Sequence, residues 1–433
     1  MTQILIAVVS LFLPTSIAFS QGHDLIGYWH NWNDVAAPYI ELSEIDPRYS
    51  VIEVSFATPA NGTTFDMEFA PAETDVATFL ADIVALHSQG RKVLISIGGA
   101  TATVQLDSDQ QRDQFVSSML AIIETYGFDG IDIDLEGASV SITGGTITNP
   151  IDASAIRLID AVNSIADQFE TSNGVPMMLT MAPETAYVQG GQSAFGGIWG
   201  AYLPLIDALR DRLDILQVQL YNSGSMFGLD GGIYEQGTAD FIVSQTEALL
   251  QGFNTAGGFF EALPPEKIAI GLPACPNAAG GGYVGPETLA QAVNYLRGTG
   301  PQPGDYTRLS TYPALRGLMT WSINWDAVST CNATSDEYAQ VYEDNFGLST
   351  GIDPAVAIER EAIWPSILSA GQIVHLGQKF RVVNLHDALG RSVGTLNAQN
   401  GSIQTPSSLV PGRYWLQAMD NDGVMHHASF MVE

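Results

Sequence analysis

The stretch FDGIDIDLEG, residues 128–137, carries Asp129, Asp132, Asp134 and Glu136, the last three alternating with Ile131, Ile133 and Leu135. Successive side chains of a strand point to opposite faces, so Asp132, Asp134 and Glu136 share one face, about 6.6 Å apart, while the aliphatic residues share the other. Carboxylates buried this close cannot all be ionised. They share protons and at least one pKa rises, which suits the outermost group, Glu136, to act as a general acid near neutral pH. A metal site and a solvated edge strand are the plainer readings. No His or further acid cluster completes a metal shell, so no metal is expected, and the aliphatic alternation is too regular for an edge.

A row of acids needs a frame that turns one strand face inward. Eight β-rich runs recur along the chain: 25–32, 51–59, 92–99, 130–137, 177–184, 215–222, 268–274 and 317–324. Helical periodicity fills intervening segments, as in Val76, Phe79, Leu80, Ile83 and Val84 before Gly90, and Phe115, Met119, Ile122, Ile123 and Tyr126 before Gly127. This pattern predicts a (β/α)8 TIM barrel over residues 21–345, with a doubly wound open sheet as the alternative. In the barrel the row climbs from the core to Glu136 at the C-terminal mouth, where such folds place their chemistry. Cys275 and Cys331 follow the seventh and eighth runs, neighbours in a closed barrel, and a disulfide between them is expected.

The 433 residues include 47 acidic residues against 13 Arg and 3 Lys, a net charge of −31. That balance argues against a nucleic-acid or anionic-membrane surface and leaves a neutral polymer as an acceptable partner. It also fits salty surroundings or an acidic secreted protein. Residues 1–20 read as a secretory signal, with an apolar core from Ile4 to Leu13 too short to span a bilayer. A soluble, exported protein without a membrane span follows, and one bridge from two cysteines fits an oxidising compartment. After a linker over 346–362, short alternating runs separated by Asn, Gly, Asp and Pro predict a small all-β sandwich over 363–433.

These motifs together resemble a chitinase of glycoside hydrolase family 18. The family signature Asp-x-x-Asp-x-Asp-x-Glu stands as Asp129, Asp132, Asp134 and Glu136, and its companion Ser-x-Gly-Gly as Ser96, Gly98 and Gly99. GYWHNW on the first run, MAPE on the fifth, QLYN on the sixth, GLPA on the seventh and TWSINWD on the eighth extend the likeness over the barrel.

The resemblance implies a secreted hydrolase of chitin or chito-oligosaccharides, retaining configuration through attack by the substrate's own N-acetyl carbonyl, with no cofactor. Glu136 would protonate the glycosidic oxygen. Asp134 would hold the acetamido N–H, Asp132 would share a proton beneath it, and Tyr221 would bond the acetamido oxygen. Met181, Gln219, Asn222, Trp321, Tyr28, Trp29 and Trp325 would line the substrate site, with Trp321 as its floor. Asp129, Ser96, Gly98 and Gly99 would be structural. Cys275 to Arg316 is too short for the extra subdomain that walls the cleft in some members, so an open groove and endo-type cleavage are expected, in a monomer. An endo-β-N-acetylglucosaminidase on glycoproteins and a non-catalytic chitin-binding lectin are the alternatives. The tail resembles the C-terminal sorting domain of type IX secretion substrates, through IWPSILSAGQIV, HDALGRSV and LVPGRYWLQA, which implies contact with that machinery and a place outside the cell or on its surface. A carbohydrate-binding module is the competing reading.

Overall fold

The computed structural model describes residues 22–329, 331–347, 367–375, 382–387, 392–398, 402–419 and 425–432. The signal over 1–20 and all of the linker after Gly347 lie outside the described residues.

Eight parallel strands form a nearly closed barrel: Asp24–His30, Val51–Pro59, Lys92–Gly99, Gly130–Leu135, Met178–Met181, Ile215–Leu216, Ala269–Pro273 and Gly317–Trp321, called the first to the eighth strand below. The sheet runs unbroken from the seventh through the eighth and first to the sixth. Isolated parallel bridges, Leu216 to Ile268 and Gln219 to Gly271, close the ring. Helices Val76–Ser88, Asp109–Tyr126, Ala153–Asn173, Leu203–Ala208, Ala239–Gln251 and Pro286–Arg297 occupy successive crossovers. Side-chain caps start the first two, Asp75 accepting from the Thr78 amide and Ser108 from the Gln111 amide, and Gly127 in the left-handed region ends the second.

Three runs end three or more residues earlier than the sequence suggests. Pro183 has no N–H for the ladder, and the fifth strand stops at Met181. The sixth keeps regular pairing only over Ile215–Leu216, after which the chain continues through single bridges to Asn222 at φ 54°. The eighth gives way to a short helix, Ile323–Asp326. The first crossover carries a 3-10 turn, Leu42–Glu44, instead of an α-helix.

The interior of the barrel is small and mixed. Ile26, Tyr28, Val51, Leu94, Ala182, Ile215, Ala269 and Met319 form its apolar cluster, while the larger core fills the layer between strands and helices. In the C-terminal part the described strands form a sheet in the order Ile367–Leu368, Met425–Val432, Gly412–Met419, Val382–Asp387, Ser392–Asn397, beside a ribbon of Ile373–His375 with Ser402–Gln404. Val374 and Ile403 of the ribbon are buried with Val383, Leu385, Tyr414, Leu416 and Val432 of the sheet.

Candidate active site

The fourth strand pairs in register with the third and fifth, setting Asp132 opposite Ser96 and Thr180. All three side chains therefore enter the barrel. Asp132 is fully buried, and its Oδ2 accepts from the Tyr28 hydroxyl and from Ser96 Oγ, each at 2.7 Å. Thr180 Oγ1 lies 2.8 Å from Asp132 Oδ1. Burial pushes the Asp132 carboxyl up and these hydroxyl donors pull it back.

One step higher, Asp134 is 2% exposed and hydrogen-bonds the carboxyl of Glu136. Gln219 Nε2 ties the two together from the sixth run, donating to Asp134 Oδ1 at 2.8 Å and to Glu136 Oε1 at 3.1 Å. Its backbone is held in turn, Thr185 Oγ1 donating to the Gln219 carbonyl at 2.6 Å. Burial, then the charge of Glu136, drives the Asp134 pKa well up; burial, then the charge of Glu184, raises that of Glu136. Two carboxyls joined by a hydrogen bond hold a proton between them.

Glu136 sits just past the strand end, on the wall of a cavity of about 540 Å3 at the C-terminal mouth. Asp134, Gln219, Tyr221, Asn222, Trp321, Trp32, Phe56, Asn31, Ser55, Thr58, Thr101 and Ala278 also line it. Trp321 and Phe56 lie nearly parallel, 15° apart with centroids at 6.0 Å, and the Trp32 ring stacks on His30 at 4.4 Å and 9°. Gly98 and Gly99 let the third strand pass this spot: both have positive φ, and a Cβ would meet the Asp134 carbonyl at 2.6 Å from Gly98 and the Phe56 ring at 2.8 Å from Gly99. The loop that brings Ala278 is tied down by a disulfide between Cys275 and Cys331, whose Cα atoms are 5.7 Å apart. A second cavity of about 570 Å3 opens at the opposite end of the barrel, but its cations Lys92, Arg212 and Arg316 are bonded to Asp129, Asp167 and Asp24.

Four residues expected in the substrate site lie elsewhere. Trp29 is fully buried in the outer core, its Nε1 donating to the Ile40 carbonyl and its ring against Tyr39 and Phe79. Met181 is likewise buried in the outer layer, in register with Ile133. Strand alternation is the cause in both, because Tyr28 and Thr180 take the inward positions beside them. Tyr28 points inward but below the cavity, as a donor to Asp132. Trp325 lies on the short helix past the eighth strand and packs on the outer core. Asp129 sits at the foot of the fourth strand, bonded by His87 Nε2 at 2.8 Å and Lys92 Nζ at 2.7 Å; these contacts outweigh burial and lower its pKa.

Sequence reading missed Glu53, Thr180, Gln217 and Phe56. Glu53 had a legible signal, a lone charge at inward parity within the apolar run VIEVSF. Among the described residues no group of three or more His, Cys, Asp or Glu is placed to hold a metal ion, and no helix is long and apolar enough to cross a membrane.

Proton-sharing carboxyls beside flat aromatic rings in the mouth of a barrel define a site for acid-assisted chemistry on a ligand with broad, neutral faces. Residues 24–327 match the family model of glycosyl hydrolases family 18, and the chain belongs to that family. Chitinase Chi52 of Paenibacillus xylanexedens is 48% identical over 334 residues, 75% of this chain and 62% of that protein, so the chain spans less than two thirds of that relative. Chitinase ChiA of Flavobacterium johnsoniae is 35% identical over 402 residues, 87% of this chain and 25% of that protein. A solved family 18 chitinase from Chromobacterium violaceum shares the fold with a TM-score of 0.66 at 37% identity, covering 75% of this chain and 83% of that one.

Proposed function

We propose that the protein is a secreted, endo-acting chitinase that cleaves β-1,4-linked N-acetylglucosamine polymers with retention, through an oxazolinium formed by the substrate's acetamido group. The observation that carries this reading is the hydrogen bond between Asp134 and Glu136 at the wall of the cavity, under Gln219. Glu136 holds the proton for the glycosidic oxygen. Asp134, freed from Glu136 as that proton leaves, takes the acetamido N–H and orients its carbonyl toward the anomeric carbon. Tyr221 bonds the acetamido oxygen, Asn222 and Gln219 fix the sugar's polar edge, and Trp321 carries its apolar face. The names of the relatives above support chitin as the polymer.

The short segment between the seventh and eighth strands supports endo action. Among the described residues between Cys275 and Arg316 the only regular element is the helix Pro286–Arg297. The tail, residues 363–433, serves sorting through type IX secretion, after removal of residues 1–20 by the general export route, a reading supported by its likeness to sorting domains in IWPSILSAGQIV, HDALGRSV and LVPGRYWLQA. The catalytic reading is tested by digesting chitin hexamer, colloidal chitin and a high-mannose glycoprotein while following the first-formed anomer by proton NMR. Mixed internal products of β configuration are expected from both chitin substrates, and an α-anomer first product sinks the mechanism. Deleting 363–433 tests the tail: lost secretion supports sorting, and normal secretion with lost chitin affinity overturns it.

A further inference from the structure

Below the cavity the barrel holds a second pair of carboxyls. Glu53, on the second strand, is fully buried, and Thr180 Oγ1 stands 2.9 Å from Glu53 Oε1 as well as 2.8 Å from Asp132 Oδ1. A hydroxyl has one hydrogen to give. With both acids ionised, one of these contacts would set bare oxygens against each other, so one carboxyl must bring its own proton. Asp132 has the donors of an anion, Tyr28, Ser96 and Thr180. Glu53 has the setting of an acid: Gln217 Nε2 donates to Oε1, and the other hydroxyl within reach, that of Tyr28, gives its hydrogen to Asp132 Oδ2, which leaves Glu53 Oε2 buried with no hydrogen-bond partner.

We infer that Glu53 is a positioning residue for the acid row, holding a proton that it exchanges with Asp132 through the Thr180 hydroxyl. As Glu53 Oε1 gives its hydrogen to Thr180 Oγ1, Thr180 gives its own to Asp132 Oδ1. The atoms balance, and one negative charge passes between Asp132 and Glu53. The titratable groups facing Glu53 are Tyr28 of the first strand and Asp132 and Asp134 of the fourth. The third, fifth and sixth strands bring Ser96, Thr180 and Gln217, and the seventh and eighth bring Ala269 and Met319, none of them charged. The shared charge is therefore the one variable charge beneath Asp134. Burial and the neighbouring Asp132 push the Glu53 pKa well up, in keeping with this.

The inference rests on Glu136 as proton donor, and the experiment separates the two. Glu53→Gln keeps the shape and, through its amide, a donor to Thr180, but locks the charge on Asp132. That charge acts on Asp134 more strongly than the one on Glu53 does, so the row keeps its proton to higher pH. The basic limb of kcat/KM on chito-oligosaccharides should move up by roughly half to one pH unit, with KM little changed. In a Thr180→Val background, where the relay is cut, adding Glu53→Gln should move it no further. An unmoved limb in Glu53→Gln, with Glu136→Gln inactive, overturns the inference alone; an active Glu136→Gln overturns the catalytic reading. Should Glu53→Gln fold poorly, Glu136→Gln protein carrying 13C-labelled glutamate decides by infrared. A protonated glutamate band is expected at pH 7, and its absence overturns the proposal.

Discussion

The carboxyls of Asp134 and Glu136, two residues apart on one strand face, are joined to each other by a hydrogen bond. The family likeness implied that Asp134 shares its proton downward with Asp132. In this structure the oxygens of Asp132 accept from Tyr28, Ser96 and Thr180, while Asp134 meets Glu136 on its outer side.

Glu184, at the end of the MAPE motif, follows from this. Its charge is the second cause, after burial, that raises the Glu136 pKa. Glu184→Gln removes a like charge, so Glu136 loses its proton at lower pH. The basic limb of kcat/KM should move down by about a few tenths of a unit, and pH–rate profiles of the two proteins check this.

Two tryptophans should separate stability from binding. Trp29 fills the outer core, so Trp29→Ala should cost roughly 3–5 kcal/mol of stability while the folded fraction keeps its kcat. Trp321 lines the cavity, so Trp321→Ala should raise KM roughly 5- to 30-fold, the loss of about 1–2 kcal/mol of stacking, with a smaller change in melting temperature. Denaturant unfolding and steady-state kinetics on both variants read the two effects.

Much of this architecture was legible. The barrel was written in recurring strand runs, and the acid row in period-two alternation, because both are local patterns. The same alternation, applied to GYWHNW and MAPE, sends Trp29 and Met181 outward, whereas the family likeness implied a place for both in the cleft. Glu53, Thr180 and Gln217 were harder to see, since their meaning lies in where three distant strands meet, a relation carried by barrel closure. Phe56, inside the strand Val51–Pro59, gave no signal of its own.

His30 is buried between the Trp32 and Trp321 rings with neither ring nitrogen bonded, and burial lowers its pKa from 6.5 to about 4. Between those values the folded chain binds fewer protons at His30 than the unfolded chain, so acidification through that window costs stability, up to about 3 kcal/mol. His30→Phe keeps a ring in the stack and removes the titration. Its loss of stability between pH 6.5 and 4 should be smaller than that of the parent by about that amount. Parallel slopes in urea unfolding across the window would contradict this.

The Cys275–Cys331 bridge spans 56 residues and closes the loops after the seventh and eighth strands. In the chain-entropy view such a loop is worth about 4 kcal/mol. The denatured, unreduced protein should show no titratable thiols, and Cys275→Ser/Cys331→Ser should melt lower and weaken substrate binding through the loop that carries Ala278. Two reactive thiols in the unreduced protein would count against the bridge.

The decisive prediction concerns Glu136 itself. Glu136→Gln keeps the size of the side chain and can still meet Gln219, yet it has no proton to transfer. Turnover should fall at least roughly 10²- to 10⁴-fold while oligosaccharide binding persists, because general acid catalysis is lost and the aromatic floor is not. Asp134→Asn should also slow turnover, by a different route: the acetamido group is no longer oriented by a carboxylate, but a preformed sugar oxazoline needs no such help and should still enter the site and serve as a glycosyl donor. Asp132→Asn, deeper and held by three hydroxyls, should move the pH profile more than the maximal rate. Measured together on chitin hexamer and on the oxazoline of chitobiose, the three variants give a pattern that only a row of graded roles produces. A Glu136→Gln protein that cleaves the hexamer at near the parent rate would show that the proton comes from elsewhere.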